Sequence, residues 1–283
     1  MFGVSKQAYY QRIKATQKQS NKNKVILELV LKFRKIHPRA GVRKLMEYLQ
    51  VDLCIQNIKL GRDELFTLLR NHGLLVKKTK RFHITTDSKH FFYKSPNLLK
   101  DIDITHSEQA LVTDITYIKT DEGHAYLALA TDPYSKKIMG YHLDNNMKVD
   151  LVKKALKMAH KNKQFSRQNT IHHSDRGIQY CCPDYSEYAE RLGYKLSTTQ
   201  QYDPYENAVA ERVNGILKYE YGLKRTLPNL LVAQKLIAQA IDIYNHQRIH
   251  WSLGFKTPQQ VHESFDKHQY KSYAKAKIGA SVG

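Results

Sequence analysis

The chain has 283 residues, 41% hydrophobic and 25% charged, which is enough apolar content for buried cores and excludes a disordered chain. Its formal net charge of +20 is segregated: residues 1–100 hold 22 basic and 6 acidic side chains, residues 101–222 hold 15 and 17, and residues 223–283 hold 9 and 3. A basic head and tail around a near-neutral centre point to a polyanionic partner, nucleic acid, while three cysteines, two of them adjacent, exclude a disulfide framework and point to a reducing cytosol.

The opening MFGVSKQAYYQR lacks the apolar segment of a signal peptide, and no apolar run approaches the ~18 residues of a membrane span. Apolar residues at helical spacing predict a helix over residues 24–37, ended by Pro38. A second follows in GVRKLMEYLQ, with Val42, Leu45, Met46 and Leu49 as its buried stripe. A third, GRDELFTLLRNHG, turns Leu65, Leu68 and Leu69 inward and stops at Gly73. Three short helices on a basic background predict a helix-turn-helix module, with Arg62, Arg70 and His72 as candidate DNA contacts. The basic, aromatic stretch KKTKRFHITTDSKHFFYKSPNLL has no periodicity and is expected to run along DNA.

From ALVTDITYIKT onward the pattern changes to strands, with two more in GHAYLALATDPYSKKIMGYHL around a turn at residues 132–135. DLVKKALKMAHKN is an amphipathic helix, NTIHHS a strand, PDYSEYAERLGY a helix and KLSTT a strand. A helix over residues 205–222 completes the order β-β-β-α-β-α-β-α, an α/β layered domain. The tail carries another helix to about Ile243, a polar segment with the only tryptophan, and a Thr-Pro turn. Four regions result: a basic helical region over 1–76 expected to bind DNA, a basic linker over 77–106, an α/β core over 107–222 and a basic helix and tail over 223–283.

Within this basic protein three carboxylates stand where acids are unexpected. Asp114 lies inside a strand, where aspartate is depleted. Asp175 follows a strand at its C-terminal mouth, where α/β sites form, and Glu211 lies on the last core helix. Carboxylates converging from three elements need a cation, and hard oxygen ligands suit Mg²⁺ or Mn²⁺. Two such ions clamp the oxygens of an in-line phosphoryl displacement, so the pattern points to phosphodiester chemistry on DNA. Lys218, Asn207 and Arg176 are candidate DNA contacts near these acids, the first two sharing the helical face of Glu211. His173 and Gln179 flank Asp175 as weaker candidates, whereas Glu220, on the far side of the helix, is expected to be an ordinary solvated charge.

The segments VTDITYI, HSDRGIQY, ENAVAERVNGILKYE and YNHQRIHWSLGFKTPQQ together resemble the transposases of the insertion-sequence-3 family, specifically the catalytic product of its second reading frame. GVSKQAYYQ, GVRKLMEYL and ELFTLLRNHGLLV extend the resemblance over nearly the whole chain. The 35 residues between Asp175 and Glu211 match the spacing of this DDE group. Two positions depart from the pattern: Leu111 where the family has tryptophan, and Glu206 where it has aspartate before Asn-Ala. The resemblance implies a ribonuclease-H-like integrase core, a mixed five-stranded sheet with helices, preceded by a small all-α helix-turn-helix domain. It also implies metal-dependent DNA cleavage and strand transfer by Asp114, Asp175 and Glu211, acting on the element's ends and a target. A circular DNA intermediate, a homo-multimer pairing two ends and a fusion partner from an upstream frame belong to the same expectation. The rival functions are a transposase-derived DNA-binding protein without catalysis and a metal-dependent nuclease that only hydrolyses.

Overall fold

The computed structural model describes residues 6–76, 91–100, 102–165, 169–200 and 208–264, divided between two compact units, residues 1–81 and 82–283.

The first unit holds α1 (Lys6–Arg34), α2 (Val42–Ile55) and α3 (Arg62–Asn71). Helix α1 begins far ahead of the expected residue 24. Its first half, rich in Lys, Gln and Ala, contains neither Gly nor Pro, so propensity carries the helix where no apolar stripe announces it. Of α1 only Ile26 and Val30 are buried, and they pack with Leu45, Leu49 and Leu53 of α2 and Leu65, Leu68 and Leu69 of α3. Glu64 ties the start of α3 to α1, accepting from Lys22 Nζ at 2.7 Å and Gln19 Nε2 at 3.1 Å. Gly73, at φ +66°, ends α3 in the left-handed conformation, and the next amide, Leu74 N, donates back to Leu69 O at 2.8 Å.

The second unit follows the order read from the sequence, with one extra short helix. It runs β1 (Ala110–Thr120), β2 (Gly123–Thr131), β3 (Ile138–Asp144), α4 (Val149–Lys161), β4 (Ile171–Ser174), α5 (Ile178–Cys181), α6 (Pro183–Arg191), β5 (Lys195–Thr198) and α7 (Ala208–Glu220). Helices α8 (Leu230–His246) and α9 (Pro258–Glu263) complete it. The five-stranded sheet has the order β3-β2-β1-β4-β5, with β1 to β3 an antiparallel meander and β4 and β5 parallel to β1.

Both faces of this sheet are covered. On one, Ile118, Leu127, Leu129, Ile138 and Leu143 meet Val213, Ile216 and Leu217 of α7 and Ile237, Ile241 and Tyr244 of α8. On the other, Leu111, Ala128, Ala130 and Met139 meet Leu151, Val152, Ala155 and Leu156 of α4 and Tyr185 and Ala189 of α6. Gly140 lets α4 lie directly on β3, for a Cβ there would come within 2.2 Å of Ala155 O.

Residues after 222 are part of this packing. Asn245 brackets Ile138 of β3, accepting from its N–H at 2.9 Å and donating to its carbonyl at 3.0 Å. The expected Thr-Pro turn is the start of α9, where Thr257 and Gln260 form a capping box. The stretch expected to run along DNA is described only in part. Of it, residues 95–98 lie on the edge strand β5, with Leu98 N donating to Ser197 Oγ at 2.9 Å and Thr198 Oγ1 to Ser95 O at 2.6 Å. No helix among the described residues is long and apolar enough to cross a membrane.

Candidate functional site

Strands β1 and β4 are parallel neighbours in the register Ala110↔Ile171, Leu111↔His172, Val112↔His173. Continued by two residues, that register sets Asp114 opposite Asp175. Asp114 lies at the middle of β1, while β4 ends at Ser174, so Asp175 sits where its strand opens into a loop. There its Oδ1 accepts from Gly177 N at 3.0 Å, which fixes the turn. Glu211 projects from the first turn of α7, the helix that covers this face of β1, and is exposed.

Both oxygens of Asp114 have donors, Ile115 N at 2.9 Å to Oδ1 and Asn214 Nδ2 at 2.7 Å to Oδ2. Its pKa is nevertheless pushed up to about 7, first by burial and then by the charge of Asp175, with a smaller push from Glu211. The two hydrogen bonds act the other way and are outweighed. Each of the three acids is therefore felt at one point in the groove between β1, β4 and α7. Among the described residues no three His, Cys, Asp or Glu side chains stand at the spacing of a ready-made metal shell. Like charges repel, so a set of this kind would close only upon a cation. The donor set is all oxygen, which suits a hard divalent ion and excludes a thiolate or imidazole zinc site.

Lys218, two turns after Glu211, lies with Nζ 4.1 Å over the Tyr117 ring. Burial lowers its pKa and the charge of Asp114 opposes that, so the ammonium faces the same groove. Arg176 donates to Thr199 O at 2.6 Å and to Gln200 O, which ties it to the loop after β5. In the first unit Arg62 is exposed and bonded to Asp63 at 2.9 Å, and the Arg70 guanidinium stacks 4.8 Å from the centre of the exposed Phe66 ring. His72 caps the C-terminus of α3. Asn207 and Glu206 lie outside the described residues.

His173 Nδ1 lies 2.8 Å from Ser197 Oγ, and Gln179 is buried and donates to Met147 O at 3.1 Å. One expectation changes. Glu220 is no solvated charge: it grips the buried Arg248 guanidinium through two bonds of 2.8 Å. Arg248 in turn contacts His250 Nε2 at 2.8 Å, so Glu220 anchors the segment after α8. One residue at the groove went unremarked in the sequence, Asn214. Its signal is an amide three residues after Glu211 on a helix face that is otherwise buried and apolar.

Comparisons with known proteins follow the same lines. Two family models described as integrase core domain match residues 104–204 and 192–258. The 31 kDa protein of insertion element IS600 from Shigella sonnei is 35% identical over 269 residues, spanning 94% of this chain and 97% of that protein. The transposase of insertion sequence element IS629 from the same organism is 27% identical over 230 residues, spanning 81% and 75% of the two chains. Transposase InsF of insertion sequence IS3A from Escherichia coli K12 is 32% identical over 194 residues, spanning 68% and 67%.

Proposed function

The chain belongs to the DDE transposases of the insertion-sequence-3 family, polynucleotidyl transferases with an integrase core of ribonuclease-H-like fold, and from that premise we propose that Asp114, Asp175 and Glu211 are its catalytic carboxylates. They would hold divalent metal, Mg²⁺ or Mn²⁺, with two ions as the resemblance implies. Bound there, the ions supply Lewis-acid activation of the attacking oxygen and stabilise the leaving one. What carries the proposal is the electrostatic convergence on Asp114 of Asp175 and Glu211, from a neighbouring strand and a covering helix.

The reaction has two balanced steps. In cleavage, water attacks phosphorus, the bond to the 3′ oxygen breaks, and a 3′-hydroxyl is left at each element end. In joining, that hydroxyl attacks a phosphodiester of the target, one P–O bond forms as another breaks, and no ATP is consumed. The chain's own part is to hold the scissile phosphate beside the three acids. Lys218 is placed for this, at the groove wall, and Arg176 extends the positive edge beyond β4. Arg62 and Arg70 on α3 are proposed contacts of the helix-turn-helix head with duplex DNA. The working regions are the head over 1–76, the linker over 77–106, the core over 107–222 and the tail over 223–283. The proposed setting is bacterial DNA in the cytoplasm, a multimer that pairs two ends, and action either alone or fused to an upstream-frame partner.

The test incubates the protein, alone and fused to its upstream frame, with a duplex of the element's end and Mn²⁺ or Mg²⁺, scoring nicks and joined products separately. Glu211→Gln is expected to lose both products and keep DNA binding. Joining by that variant would refute the assignment, and nicking without joining by the unaltered protein would make it a nuclease.

A further inference from the structure

Asn214 occupies a position that packing alone would give to an apolar residue. It is 6% exposed, on the side of α7 that carries Val213, Ile216 and Leu217 into the core. Its Nδ2 donates to Asp114 Oδ2 at 2.7 Å, at the short end of the range for such bonds. Its Oδ1 is buried without a hydrogen-bond partner. A buried, unsatisfied carbonyl costs about 1–3 kcal/mol, and asparagine is a poor helix former, so the residue is not there for stability. The one bond it makes is to a carboxylate of the groove.

We propose that Asn214 is a positioning residue for cleavage and joining: it fixes the plane of the Asp114 carboxylate and aligns Glu211 of α7 with Asp114 of β1. This rests on the assignment of the three carboxylates above. The main-chain N–H of Ile115 holds one oxygen of Asp114 and Asn214 the other, so the group cannot rotate about its Cβ–Cγ bond. Each oxygen keeps a lone pair for a metal. A neutral amide suits this task better than any charged side chain. Lysine or arginine would neutralise Asp114 and compete with the ion, and aspartate would add a fourth negative charge. Because Glu211 stands one turn before Asn214, the same bond sets the height of Glu211 above the strand.

The experiment compares the full chain with Asn214→Ala and with Asn214→Leu, the latter keeping the branched shape and heavy-atom count of the side chain so that no cavity opens. Three quantities are measured: melting temperature in EDTA, the rise in melting temperature on titration with Mn²⁺ alone, and nicking of a duplex of the element's end. Both variants are expected to melt within a few degrees of the parent and to bind the duplex equally well. Each should need at least about 10-fold more Mn²⁺ for half of the thermal rise and for half-maximal nicking, as for loss of an outer-shell partner, with partial recovery in excess metal. Mn²⁺ midpoints equal to the parent's would overturn the proposal, as would a large fall in melting temperature in both variants with the midpoints unchanged. If the parent shows no Mn²⁺ response and nicks as well when Asp114→Asn is introduced, the carboxylate assignment itself fails, and this inference with it.

Discussion

Two acidic clusters in the catalytic unit use the same chemistry to opposite ends. Where β1 begins, Glu108 accepts from Gln164 N at 2.6 Å and Phe165 N at 3.0 Å, while Asp132 accepts from the main chain of Glu108, Tyr134 and Ser135 at 2.7–3.1 Å. His262 of α9 lies 3.2 Å from Glu108 and 3.3 Å from Asp132. Burial acts to raise the pKa of Glu108, yet His262 and the two amides outweigh it and hold the carboxyl below its ordinary range. Some way along the same strand, Asp114 has two donors as well, but burial and then the charges of Asp175 and Glu211 outweigh them and its pKa rises to about 7. The first cluster is complete and serves the fold. The second gathers like charges that push up the pKa of one of their number, an arrangement that suits the cation-dependent site proposed above.

Substitutions can break this contrast at several strengths. The largest effect is expected from Asp114→Asn. Cleavage and joining should fall beyond the ~10–100-fold typical of losing an outer-shell partner, while melting temperature in metal-free buffer at neutral pH rises because a buried like charge is gone. A drop in both would mean that Asp114 is structural, like Glu108. Next comes Glu220→Gln, on the same helix as Glu211 but paired with Arg248. It leaves the Arg248 guanidinium buried without its counter-charge, for a loss of about 3 kcal/mol in urea unfolding. Its effect on nicking at a temperature where it is folded should be small, the reverse of Glu211→Gln.

The smallest effect is one of pH. Burial acts against charging His262, but hydrogen bonds to Asp132 and Glu108 prevail and its pKa lies above the ordinary 6.5. The stabilisation it brings is therefore complete below about pH 6.5 and fades as pH rises through that raised value. Glu108, with its lowered pKa, stabilises above about pH 4.5 and loses its contribution as pH falls through the lowered value. Urea midpoints of the parent should decline from pH 6 towards pH 8.5, and His262→Gln should flatten that decline. An unchanged slope in the variant would show that the clasp is neutral.

The strands and helices of the core were legible because each carries its own period or its own punctuation. The two aspartates stood out because an aspartate inside a strand and an aspartate before Arg-Gly are odd local choices, and Glu211 because 35 residues lie between it and Asp175, the spacing of the family the chain resembles. Asn214 and Glu220 were not, since each takes its meaning from a residue far away in sequence, Asp114 and Arg248. Helical geometry separated Glu220 from the groove correctly, but rotation about one helix axis says nothing of what waits on the other side. Likewise α1 was cut short in the sequence reading because hydrophobic periodicity marks burial, and the first half of that helix buries almost nothing.

The seating of α7 has a bearing on how the protein is made. Glu211 and Asn214 emerge from the ribosome before α8, whose Ile237, Ile241 and Tyr244 complete the layer in which α7 is held, and before Asn245 fastens that layer to β3. A chain stopped short of α8 carries every acid of the groove and lacks the floor that fixes their helix. Synthesis order thus puts the completion of this layer after Glu211 and Asn214, and a product truncated before α8 lacks the packing that seats the helix carrying them.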